Sequence, residues 1–216
     1  PVETMAQLCR EAGVPFILDA AQSAGCLPVD FGALGADFIA MPGHKGLLGP
    51  QGTGLLLCAQ PGKPLIFGGT GSRSRARTMP EELPERLEAG TLNVPGAAGL
   101  AAGMELVEHL GTENIFRRGH SQVGVCARGL EELGFQVYSG PHQAMTLSFR
   151  GKGDCEELAA YLGSKGIALR AGLHCAPLAH ESAGTLETGT LRVSFGHDAS
   201  SLQTRALLRA LGDRSG

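Results

Sequence analysis

The stretch ADFIAMPGHKGLLGPQGTGLLLC, residues 36–58, holds two apolar runs joined by a hinge of glycines, prolines, His44 and Lys45. Gly and Pro serve to turn a chain. A histidine beside a lysine, between hydrophobic runs, serves no such purpose. The runs predict strands over Phe38–Met41 and Thr53–Cys58, and fully apolar strands suit a sheet covered on both faces. A lysine held between buried strands is expected to be partly desolvated. Desolvation lowers its pKa from about 10.4 and frees a neutral amine that attacks aldehydes. The alternative for Lys45 is a solvent-facing hairpin lysine.

Upstream, FILDAAQSAG (16–25) follows the same pattern. A strand over Val14–Leu18 ends at Asp19. In open α/β sheets that end faces the ligand crevice; the alternative is a turn or cap aspartate. Gln22, three residues on, reaches the same crevice. A carboxylate and a lysine at neighbouring strand ends match what pyridoxal 5'-phosphate requires, a partner for its pyridinium nitrogen and an amine for its aldehyde.

Hydrophobic residues make up 43% of the 216 and charged residues 18%, enough apolar content for a sizeable core. A net charge of −3 without a basic run argues against a nucleic-acid surface. No apolar stretch reaches the ~18 residues of a membrane span, and no signal peptide is visible. Cysteines at 9, 26, 58, 126, 155 and 175 form no C-x-x-C pair, which suits thiols in a reducing cytoplasm. No metal-ligand cluster is expected.

A helix is expected over Val2–Glu11. Residues 61–96 read as loop, including the SRSRAR run at 72–77. Helices follow over Ala97–His109 and Glu113–Leu133, the latter capped by Thr112. Strands Phe135–Tyr138 and Met145–Phe149, helix Cys155–Lys165 and strand Ile167–Arg170 come next. A loop containing His174, Cys175 and His180 leads to strand Thr190–Phe195 and helix Ser201–Leu211. This order predicts an α/β part over 1–104 and a small α+β domain over 105–216.

Read together, LDAAQSAG, GHKGLLGPQGTG, EAGTLNVPGAAGLAAG, LRAGLHCAP and LRVSF resemble, in order and across nearly the whole chain, the class V aminotransferases, in their cysteine desulfurase and selenocysteine lyase branch. The resemblance implies fold type I of the pyridoxal-phosphate-dependent transferases: the trailing part of a large, mostly parallel-sheet domain plus the small C-terminal domain. It implies that Lys45 bonds the cofactor's aldehyde, Asp19 pairs with the ring nitrogen and Gln22 with the ring hydroxyl, and His44 helps hold the phosphate or position the cofactor. Thr70 reaches a partner subunit's phosphate across a homodimer. Arg192 binds the substrate carboxylate through its bidentate fork. Cys175 takes sulfur from L-cysteine as a persulfide, with His174 beside it as a local structural or proton-handling residue.

Pro42 stands where the family often has a Ser or Thr donating to phosphate, which leaves His44, Thr70 and groups outside this sequence for that task. The Arg170–Cys175 loop is short, a feature of the selenocysteine-lyase-like group, and implies a sulfur-acceptor protein. Selenocysteine as substrate, another class V transaminase or lyase, and a cofactor-free non-catalytic fragment are the alternatives. Residue 1 is Pro and a helix begins at once. The chain is therefore expected to lack about two-fifths of a family member, including its phosphate loop and ring-stacking histidine, and to hold cofactor poorly by itself.

Overall fold

The computed structural model describes residues 1–215, in two compact units, Pro1–Glu113 and the residues from Asn114 onward.

The first unit runs α1 (Val2–Glu11), β1 (Ile17–Asp19), α2 (Phe31–Leu34), β2 (Phe38–Pro42), β3 (Gly54–Cys58) and α3 (Val94–Leu110). β1 starts later than its apolar run predicts. Val14 donates its N–H to Cys9 O at the end of α1, and Phe16 donates to the Asp37 carboxylate, so both are engaged before strand pairing begins. The sheet is mixed, in the order β1-β2-β3. β1 pairs parallel to β2, with Asp19 opposite Ala40. β2 and β3 pair antiparallel, because the hinge between them is too short for a parallel crossover. Phe16, Ala20, Ala24, Leu34, Ile39, Leu47 and Leu100 form its core. The expectation of a sheet covered on both faces is not met within this chain, since Ile17 and Leu56 are exposed.

α3 begins where Asn93 Oδ1 accepts the Gly96 N–H at 3.0 Å, a side-chain cap that satisfies one of the first turn's free donors. Its glycines face the 43–53 hinge. A Cβ on Gly103 would lie 2.5 Å from Leu47 O, and one on Gly96 2.8 Å from Thr53 Cγ2. The missing side chains let the hinge backbone lie directly on the helix.

The second unit runs α4 (Thr112–Glu132), β4 (Gln136–Tyr138), β5 (Thr146–Arg150), α5 (Cys155–Ser164), β6 (Arg170–Gly172), α6 (Pro177–Ser182), β7 (Thr190–Ser194) and α7 (Ser201–Ser215). Thr112 is the first residue of α4 rather than its cap. The sheet is antiparallel throughout, ordered β4-β5-β7-β6. Ile115, Gly119, Val123, Cys126 and Leu130 form a buried stripe at helical spacing on α4. Leu147 and Phe149 alternate inward from β5. Phe149 meets Phe135 edge to face at 5.6 Å between ring centroids. Burial in this core pushes the Cys126 thiol up to about 11.

Two elements differ from expectation here. Ile167 donates its N–H back to Leu162 O, closing the end of α5, so β6 begins only at Arg170. The stretch after Cys175 is not all loop, because Pro177, whose fixed φ suits a first helical turn, opens α6. No helix among the described residues is long and apolar enough to cross a membrane.

Candidate active site

In the first unit, Asp19 closes β1 and is exposed, and its Oδ1 accepts the Ala21 N–H at 2.8 Å. The carboxylate therefore shapes the turn that follows, as its alternative reading has it, and also sits at the carboxyl end of the strand. Gln22 is exposed in that turn, which Ala20 O holds by accepting from Ser23 and Ala24. His44 and Lys45 are exposed in the hinge. The expected desolvation of Lys45 is absent within this chain, because the hinge folds with its apolar Leu47 inward and its polar pair outward.

Two glycines bring these turns together. A Cβ on Gly25 would lie 2.0 Å from Gly46 O, and a Cβ on Gly46 would lie 2.1 Å from Ala24 O. The turn carrying Asp19 and Gln22 thus abuts the turn carrying His44 and Lys45, backbone against backbone. Gly43 N–H donates to Thr53 O and Gly49 N–H to Gly43 O, which fixes the hinge from the other side. Leu48 takes a left-handed backbone, φ 58°, a conformation that costs a non-glycine residue on the order of 1 kcal/mol or more and persists only where the surroundings hold it.

Thr70 lies in the long 61–93 loop, its hydroxyl paired with Ser72 Oγ at 3.0 Å. Arg73 in the SRSRAR run pairs with Glu82 at 2.7 Å. A cavity of about 790 Å³ in this unit is lined by Asp19, Phe31, Met41, Leu57, Leu83 and Leu87 among others, but not by Gln22, His44 or Lys45. Its apolar walls do not suit a phosphate, and the two abutting turns, not this cavity, carry the reactive groups.

In the second unit, Arg170 on β6 lies directly opposite Arg192 on β7. Like charges in such a pair repel, yet neither guanidinium forms an ion pair among the described residues. Arg192 Nε is buried with no hydrogen-bond partner there. Arg170 Nη2 donates to Cys175 Sγ at 3.2 Å, and Cys175 is exposed. A guanidinium so placed stabilises negative charge on that sulfur.

His174 and Cys175 both hold left-handed backbones, with φ 53° and 61°. His174 Nε2 lies 3.0 Å from Thr190 Oγ1, while its Nδ1 is buried without a partner among the described residues. Burial lowers the His174 pKa below its usual value, and the Arg192 and Arg170 guanidinium groups lower it further. The ring is therefore neutral at neutral pH. His180, expected to be a loop residue, is instead 7% exposed on α6, with its ring 5.6 Å from that of His174.

Arg170, Thr190 and His180 are the residues sequence reasoning missed. A signal for Thr190 was available. It sits two before Arg192 on a strand, hence on the same face.

The chain matches the family model for class-V aminotransferases over residues 1–207. It is 34% identical to a "probable cysteine desulfurase" of Methanothermobacter thermautotrophicus, covering all of this chain and 56% of that protein. A similarly named protein of Pyrococcus abyssi is 37% identical over 90% of this chain and 50% of its own length. Among solved structures, apo cysteine desulfurase from Thermococcus onnurineus superposes with a TM-score of 0.89 at 34% identity, covering 99% of this chain and 56% of that one. Cysteine desulfurase CsdA from Escherichia coli gives 0.86 at 30% identity, covering 99% and 54%. The chain spans about half the length of the curated relatives it matches.

Proposed function

Because this chain belongs to the class-V aminotransferase family, we propose that its activity is cysteine desulfuration, with L-cysteine leaving as L-alanine and its sulfur retained on Cys175 as a persulfide. The observation that carries this reading is the exposed Cys175 thiol with a guanidinium donating to its sulfur, next to the half-buried His174. A transaminase has no use for a nucleophilic thiol so placed. Relatives and solved structures named as cysteine desulfurases support the same reading.

The residues of the first unit fit pyridoxal 5'-phosphate. Asp19 offers an acceptor for a ring N–H, and Lys45, on the abutting turn, offers an exposed amine for an aldehyde. Gln22 would meet the ring hydroxyl and His44 the phosphate. When bound, the cofactor supplies an electron sink conjugated to the substrate's α-carbon. Lys45, with its exposed amine, would move a proton to and from that carbon. Asp19 holds the proton at the ring nitrogen. Arg192, with Nε buried and unpartnered, takes the substrate carboxylate. Cys175, as thiolate beside Arg170, attacks the substrate sulfur. The S–S bond forms as the Cβ–S bond breaks, the electron pair stays with the substrate carbon, and protonation there gives alanine.

The reading includes a homodimer and a cytoplasmic setting. Leu65, Ile66 and Phe67 form an exposed apolar run close to Thr70, a surface suited to a subunit contact that would carry Thr70 toward a partner's phosphate. All six cysteines are free, as a reducing compartment keeps them. The short loop before Cys175 leaves delivery to a sulfur-acceptor protein.

The test uses the full-length protein. Cys175→Ser stops alanine release from cysteine, while borohydride still fixes the cofactor's mass on Lys45 in a peptide map. Alanine release at the unmutated rate in the Ser variant, or a label on Lys63 or Lys165 in place of Lys45, refutes the reading.

A further inference from the structure

We propose that His180 is a positioning residue for Cys175, acting through the His174 ring; the functional meaning of this rests on the desulfurase reading above. A histidine buried on a six-residue helix needs polar partners, and His180 has them. Its Nδ1 lies 2.8 Å from Thr185 Oγ1. Its carbonyl accepts the Thr185 N–H at 2.8 Å and the Thr185 hydroxyl at 3.4 Å. With the hydroxyl proton directed to the carbonyl, Nδ1–H is the donor to Oγ1. Ring and backbone of His180 are thereby tied to one threonine, itself 2% exposed.

This fixed ring stands beside His174 at 5.6 Å, with the planes inclined at 48°. On β7, Thr190 holds His174 Nε2. The His174 ring is thus gripped from α6 and from β7. His174 and Cys175 are consecutive residues in left-handed conformations, which a chain leaves unless held. Holding the His174 ring holds that backbone, and the backbone directs Cys175 Sγ to within 3.2 Å of Arg170. A leucine at 180 would occupy a similar volume but could not bind Thr185.

Two readouts on the full-length protein test this. The first is the rate of iodoacetamide alkylation at Cys175, followed by peptide mass spectrometry, which does not depend on turnover. The second is the split between kcat and KM for alanine release. His180→Leu slows alkylation at neutral pH about tenfold, the scale of losing one charge-assisted hydrogen bond. It lowers kcat comparably and leaves KM for cysteine within about twofold, since Arg192 is untouched. His180→Asn, whose amide can donate to Thr185 but which has no ring to set against His174, keeps the Thr185 contact and recovers neither. Arg170→Gln slows alkylation similarly, and combining it with His180→Leu adds no further loss, because both changes remove the same contact.

Unchanged alkylation in folded His180→Leu, additive losses in the double variant, or recovery of the rate in His180→Asn overturns the proposal. Should His180→Leu not fold, Thr185→Val carries the same expectations. If Cys175→Ser leaves desulfuration intact, the desulfurase reading fails; slowed alkylation in His180→Leu still upholds the positioning.

Discussion

Replacing Gly46 by Ala tests whether the contact between the Asp19 turn and the Lys45 turn matters. Gly46 does not have a positive φ, so alanine meets no conformational penalty there and the effect is steric alone. Its Cβ would lie 2.1 Å from Ala24 O and 3.2 Å from Cys26 Sγ. The closer atom is backbone in a hydrogen-bonded turn and cannot swing aside. Ordinary contact begins near 3.4 Å, so the turns must part by about 1.3 Å. Overpacking of this kind costs about 1–3 kcal/mol, a fall in Tm of roughly 2–10 °C for a chain of this size. A displacement of about 1 Å between reacting groups lowers turnover on the order of a hundredfold.

The assay measures alanine release, borohydride trapping at Lys45 and Tm on the full-length protein. Gly52→Ala is the control. Its Cβ meets nothing within 4 Å, but φ is +76°, so it loses about 1 kcal/mol of stability without moving either turn. The expected pattern is a large loss of turnover for Gly46→Ala and near-normal turnover for Gly52→Ala. Equal turnover in the two variants, with Gly46→Ala folded, would refute the argument that the glycine contact sets the spacing of Asp19 and Lys45.

Asp19→Asn keeps an oxygen for the Ala21 N–H, so the turn survives; cofactor binding persists while turnover falls about a hundredfold or more. Near-normal turnover in that variant would detach Asp19 from the chemistry. The lowered His174 pKa makes the folded state bind its proton less readily than the unfolded state. Stability from this group is therefore intact above the unfolded value of about 6.5 and declines as pH falls from there toward the folded value. A Tm series from pH 7.5 to 5 should show a shallower decline for His174→Asn than for the unmutated protein, and identical slopes would contradict the assignment.

Much of this molecule is legible without coordinates. The α4 stripe from Ile115 to Leu130 and the alternation of Leu147 and Phe149 follow from local periodicity, because side-chain direction within one element is set by its own backbone. The order of Asp19, Lys45, Cys175 and Arg192 along the chain is enough to suggest cofactor chemistry. What surrounds those residues is not legible, since it depends on how distant segments approach one another. Nothing near Arg170 in the sequence says that it lies opposite Arg192, because strand register is settled by pairing between segments far apart. Gly25 and Gly46 read only as turn residues until their backbones are seen in contact. His180 reads as loop because five residues of α6 around it carry no helical period, and only the buried Thr185 beneath it turns that histidine inward. Local pattern settles most of the helices and strands, though not α2 or α6, and marks the side chains able to react. Which of them meet depends on packing and register between distant segments, and no local pattern encodes those.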